Sequence, residues 1–215
     1  QRFVTLEAFR RAGFNVIAMV NEPSAAGFEY THRYSNLINS RRSKALVYDL
    51  GGGTFDASLV VADGTRHEVL ASRGDNDLGG DDFDEVLVKI ALEIGDFDRD
   101  SFDDAEFGHL LLAARNVKEA LRPQSRNAVL DIRGTSVTVP VAKFYEACAP
   151  LIEVTFETME PLLVADEDGN YRPADDVSGI YVVGGGSELP AIMRGLKERF
   201  GRRIRRSPYT AGSQA

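Results

Sequence analysis

Residues 49–56 read Asp-Leu-Gly-Gly-Gly-Thr-Phe-Asp. Two carboxylates and a hydroxyl surround three consecutive glycines. Such a run removes every Cβ from a turn, so the backbone can approach a ligand closely. Its successive N–H groups form a concave site for an anion. Carboxylates beside that site suit Mg²⁺, which takes oxygen ligands and keeps several waters. Asp49, Thr54 and Asp56 with Gly51, Gly52 and Gly53 therefore point to a phosphate-plus-cation site. A Gly-rich surface hairpin is the plainer alternative, and three glycines alone would favour it.

A second run, Gly184-Gly185-Gly186, follows a predicted strand over 179–183 and precedes a predicted helix over 189–200. It lacks the full dinucleotide fingerprint. Beside the first turn it makes a second wall for one nucleotide cleft. A third glycine pair, Gly79-Gly80, opens a predicted helix that runs to about residue 94. We assign these glycines to the nucleotide and the acids Asp81 and Asp82 to the helix dipole.

The elements that must position these residues follow from local pattern. Apolar, strand-forming runs flank the first turn and predict a hairpin over 44–50 and 55–61. A third strand over 67–72, after a turn at Asp63-Gly64, completes an antiparallel meander. Upstream, apolar residues at helical spacing predict a helix stopped at Gly13, then a short buried strand over 16–20. Asn21 caps the next helix, 22–34, with Pro23 in its first turn. Glu22 there reads as a first-turn acid favoured by the helix dipole. Downstream, 95–106 is an acidic loop; Asp96, Asp98 and Asp100 echo a calcium loop without its glycine and distal glutamate. A helix over 107–121, a hairpin over 129–132 and 136–139, and a long helix over 141–164 come next. Pro150 and Pro161 are expected to kink the last. Cys148 lies in its apolar stripe. A polar loop over 166–176 leads into the second glycine unit.

Four ordered stretches carry a family resemblance: 21–26 (NEPSAA), 49–56 (DLGGGTFD), 74–84 (GDNDLGGDDFD) and 182–190 (VVGGGSELP). Together they resemble the nucleotide-binding domain of the DnaK-type heat-shock chaperones, the 70-kDa class. The resemblance implies an actin-like ATPase (ribonuclease H-like) α/β lobe with a smaller, mostly helical cap. It divides the chain into a remnant of the first lobe plus a crossover helix (1–36), a base (37–76 and 154–215) and a cap (77–153). It implies binding and hydrolysis of ATP with Mg²⁺, ADP as product, and a nucleotide state that controls client polypeptides. By resemblance Asp49 orients metal-bound or attacking water and Asp56 holds the Mg²⁺ water shell. Thr54 lies near the γ-phosphate, Glu22 helps order metal-bound water, and Lys118 touches the nucleotide from the cap. The base end departs from the family. Arg115 stands where a ribose-binding glutamate is usual, Glu119 where an arginine or apolar residue is, and Arg122 where a serine is. Glu188 replaces the arginine over the adenine face, and an acid cannot supply that stacking contact. A divergent member is expected. The first phosphate loop and a catalytic lysine would lie upstream and a peptide-binding domain downstream, so an excised piece is expected, with co-chaperones and a nucleotide-exchange factor as partners. Helices over 1–34 that have lost their partners are expected to drive pairing of copies.

Composition excludes other classes. The 215 residues have 43% hydrophobic and 27% charged content, values of an ordinary folded domain. A formal net charge of −8 opposes nucleic-acid or membrane-surface binding. The basic knot Arg202, Arg203, Arg205 and Arg206 reads as a solvated strand edge. One cysteine permits no intrachain disulfide and fits a cytoplasmic location. No Cys/His cluster suggests zinc, and the histidines have no supporting catalytic motif. Two other classes remain open: another actin-like enzyme or filament protein, such as a sugar kinase, and a non-catalytic docking module on the same fold.

Overall fold

The computed structural model describes residues 2–63, 66–167 and 169–208. Gln1, Gly64 in the expected turn and the terminal stretch from Tyr209 lie outside the described residues. The chain enters as helix α1 (Arg2–Arg11), crosses an extended stretch and continues as α2 (Glu22–Arg33). Strands β1 (Lys44–Leu50), β2 (Phe55–Asp63) and β3 (Arg66–Asp75) form the expected antiparallel meander. Then follow helices α3 (Gly80–Gly95) and α4 (Asp104–Ala120), the hairpin β4 (Asn127–Ile132) and β5 (Thr135–Pro140), and helix α5 (Val141–Met159). A short pair, β6 (Val164–Ala165) and β7 (Tyr171–Arg172), precedes β8 (Val177–Val183), α6 (Pro190–Phe200) and β9 (Ile204–Arg206). The main sheet runs β3-β2-β1-β8-β9, with β8 parallel to β1 and β9 parallel to β8.

Both faces of this mixed sheet are covered, which is why β1 and β8 read as nearly continuous apolar runs. Alternate side chains point to opposite faces. Leu46, Tyr48 and Leu50 join the core shared with α3, α5 and α6. Ala45 and Val47 join Tyr181 and Val183 on the other face, under Ala26 and Tyr30 of α2. The Tyr48 hydroxyl donates to Thr155 Oγ1 at 2.9 Å and ties β1 to α5.

Several expectations change. Residues 16–20 form no strand; Ile17 is 94% exposed, and no strand partner reaches them among the described residues. An apolar run becomes a strand only where a neighbour pairs its backbone. The long helix ends at Met159, because Pro161 lies in a separate 3₁₀ turn, Glu160–Leu162. Pro150 is accommodated inside α5. The expected border at 153/154 falls within α5, which crosses it unbroken. Helix α2 packs on the sheet and buries Ala26, Gly27 and Tyr30, whereas α1 buries no residue. Three acids of 95–106 act as caps. Asp98 accepts from the Asp100 amide at 3.0 Å, and Asp103 and Glu106 form a reciprocal cap at the start of α4. Of the basic knot, Arg205 and Arg206 lie on the edge strand β9, whereas Arg202 and Arg203 lie in the 3₁₀ turn before it.

Candidate functional site

Because β1 and β8 are parallel neighbours, the turns after them emerge side by side at the carboxyl ends of the strands, where open α/β sheets bind ligands. The two glycine turns touch. Gly184 has φ +83°, and a Cβ there would sit 2.5 Å from Asp49 Oδ1. A Cβ on Gly186 would lie 2.8 Å from the Gly51 carbonyl oxygen. A third glycine segment closes on the same turn from α3. The Gly80 amide donates to Gly51 O at 2.9 Å and the Asp81 amide to Gly52 O at 2.7 Å. A Cβ on Gly79 would meet Gly52 O at 2.5 Å. The expectation for Gly79 and Gly80 therefore shifts. Their missing side chains let α3 dock on the turn, and the Gly80 amide is already engaged.

Gly53 and Gly185 differ from these. A Cβ on either would meet nothing within 4 Å, and neither has a positive φ. The fold itself does not demand glycine there; the space lies open in front of the turn. The amides of Gly52 and Gly53 donate to no group among the described residues, while the Gly51 amide closes the turn on Thr54 O at 2.9 Å. Thr54 itself is exposed at the rim.

Asp49 and Asp56 stand directly opposite each other across the β1–β2 ladder. They share a cavity of about 250 Å³ with Glu22, Pro23, Ser58 and Ser72. Glu22 comes from the first turn of α2, whose Asn21 makes no side-chain cap bond. Ser58 and Ser72 are hydrogen-bonded at 2.7 Å between their hydroxyls and form the cavity floor. Partial burial, then the Glu22 charge, raises the Asp56 pKa above the ordinary carboxylate value. Three carboxylates thus line one small space. Among the described residues no three acidic, histidine or cysteine side chains come close enough to hold a metal ion directly.

Of the residues expected to meet the nucleotide from the helical side, Lys118, Arg115 and Arg122 are bonded within the protein. Lys118 is buried; its Nζ donates to Gly80 O and lies 2.8 Å from Asp84 Oδ1. Arg115 pairs with Asp81 and, at 3.3 Å from Nε to Oδ2, with Asp84. Both cations therefore serve the start of α3. Arg122 donates to the carbonyls of Glu119 and Leu121 and closes the end of α4. The Glu119 side chain is exposed. Glu188 lies beside the second glycine turn, 3.5 Å from Arg206 of the edge strand. Sequence reasoning missed Asp84, a carboxylate only 3% exposed, although it falls inside a quoted motif. Its place one residue after buried Phe83 on α3 was the available signal.

A family model for "Hsp70 protein" matches residues 1–208. Three similar relatives are each described as a chaperone protein HscA homolog. That from Variovorax paradoxus is 36% identical over 210 residues, covering 94% of this chain and 31% of the relative. That from Burkholderia ambifaria is 36% identical over 204 residues, covering 94% and 32%. That from Bordetella petrii is 35% identical over 210 residues, covering 94% and 31%. This chain thus spans less than a third of the length of these relatives. With its mixed sheet, its paired glycine turns and a family match from end to end of the described residues, the chain belongs to the Hsp70 family and has the actin-like ATPase fold.

Proposed function

We propose that this chain forms the second-lobe wall of an ATP-binding and ATP-hydrolysing site, in a chaperone whose nucleotide state controls its hold on client polypeptides. The observation that supports this best is the contact of the two glycine turns at the carboxyl ends of β1 and β8, with open space at Gly53 and Gly185 beside the Asp49–Asp56 pair. The site fits a magnesium nucleotide. Free amides at Gly52 and Gly53 suit phosphate oxygens, and the crowded carboxylates suit a hydrated cation held through its waters. When bound, Mg²⁺ neutralises phosphate charge.

In this reading the chain's residues mostly position. Asp49 and Glu22 would orient water in the cavity, and Asp56 would hold a hydrated cation through its waters. The Thr54 hydroxyl, at the rim, would face the terminal phosphate. Gly184, Gly185 and Gly186 flank the sugar and α-phosphate. Glu119, Arg122 and Glu188 stand at the base end, and Glu188 is held by Arg206. Phosphoryl transfer relies on such placement and charge neutralisation more than on covalent chemistry. Co-chaperones and an exchange factor are the partners this role requires. The test is hydrolysis against binding in the full-length protein. Asp49→Asn is expected to lower single-turnover phosphate release roughly 100-fold while changing MgATP affinity little. Equal loss of both would assign Asp49 a structural role instead.

A further inference from the structure

Asp84 is a buried carboxylate to which the proposed chemistry gives no task. It lies on α3, one turn from the Gly79-Gly80 start, and only 3% of its side chain is exposed. Buried carboxylates persist where cations compensate them. Two do so here: Lys118 Nζ at 2.8 Å from Oδ1 and Arg115 Nε at 3.3 Å from Oδ2. The Lys118 contact is an ion pair without good hydrogen-bond alignment, since Oδ1 has no hydrogen-bond partner among the described residues. Lys118 aims its aligned hydrogen bond at Gly80 O, and Arg115 reaches on to Asp81. Gly80 and Asp81 are the residues whose amides hold Gly51 O and Gly52 O. The chain of contacts is continuous. Asp84 fixes two cations, the cations fix the first turn of α3, and that turn holds the carbonyl side of the glycine loop.

We propose that Asp84 is a positioning residue. Through Lys118 and Arg115 it pins the start of α3 to the Gly51–Gly52 carbonyls, so that the opposite, amide side of the loop is preset for a phosphate. The functional half of this proposal rests on the nucleotide reading of the loop; the structural half does not. In the structure Lys118 serves as an internal strut. The requirement is for charge as well as shape, because an amide in place of the carboxylate leaves Lys118 buried without its counter-ion.

The test uses Asp84→Asn, Lys118→Met and the double variant in the full-length protein. Amide hydrogen exchange is read without nucleotide, and MgATP affinity is measured separately. Asp84→Asn is expected to speed exchange at Gly80 and Asp81 about tenfold or more, with β1 and β8 amides unchanged. MgATP affinity is expected to fall by about tenfold. The double variant should recover part of both effects, because it removes the unpaired cation. Unchanged exchange at Gly80 and Asp81 would overturn the proposal, and so would a uniform rise across the sheet. Loss of affinity in Lys118→Met with none in Asp84→Asn would also overturn it, since the effect would then not run through Asp84. Faster local exchange with no MgATP binding by any form, wild type included, would uphold the pin and overturn the nucleotide reading.

Discussion

Asp56 faces Asp49 across the ladder and Glu22 from α2, and partial burial already raises its pKa. The sign has two consequences. A carboxylate whose folded pKa lies above its unfolded value disfavours the fold when ionised. Acidification through the folded pKa protonates Asp56 first in the native state and removes that cost. Cation binding needs the ionised form, so it weakens over the same fall in pH. We predict that Mg²⁺-dependent nucleotide affinity declines at a pH above that expected for an ordinary aspartate. Titrations across pH should show this in the wild type and a flat, low affinity in Asp56→Asn. A decline confined to the ordinary aspartate range would contradict it. Asp49 and Asp56 were legible because they bracket glycines between two strand-forming runs. Asp84, Lys118 and Arg115 were not legible as a unit. Helical spacing tells which residues share a face, but only the docking of α4 on α3 reveals that an acid on one meets two cations on the other.

Glycines separate the elements that need them from the space beside them. Gly184 holds φ +83° with atoms of Asp49 and Leu50 where a Cβ would stand, so Gly184→Ala strains the backbone and collides with β1. We predict a loss of about 3 kcal/mol or more. Gly53→Ala enters open space without backbone strain and is predicted to change stability by less than about 0.5 kcal/mol. It should still weaken MgATP binding by about tenfold, or about 1.4 kcal/mol, by filling the ligand's side of the turn. Denaturant unfolding and nucleotide titration of the two variants check both halves. A destabilised Gly53→Ala, or one with normal affinity, would contradict the assignment of that space. The meander and both strand–glycine turns could be read from sequence because period-two and turn signals coincide there. Residues 16–20 misled because a strand-like run carries no information about its partner. The end of α5 misled because the apolar period continues past Met159, while Pro161 begins a new turn.

At the scale of the molecule, α5 joins the helical part to the sheet without a break, and Cys148 sits fully buried on it. Burial pushes the Cys148 thiol up to about 12, so at neutral pH it is both inaccessible and protonated. Iodoacetamide labelling should therefore fail in the native protein and begin only as the α5 core opens in denaturant. Rapid native labelling would show that this core breathes freely. No helix among the described residues is long and apolar enough to cross a membrane. α1 and residues 14–20 leave Phe3, Phe9, Phe14 and Ile17 exposed, as α2 leaves Phe28. If the proposed function holds, the glycine turn after β1 and the one after β8 form a single phosphate cradle. Residue-resolved amide exchange in the full-length protein, with and without Mg-ADP, tests it most directly. The account predicts protection of the Gly52, Gly53 and Gly185 amides by Mg-ADP and none by adenosine alone. Nucleotide binding that leaves all three amides unprotected would contradict it.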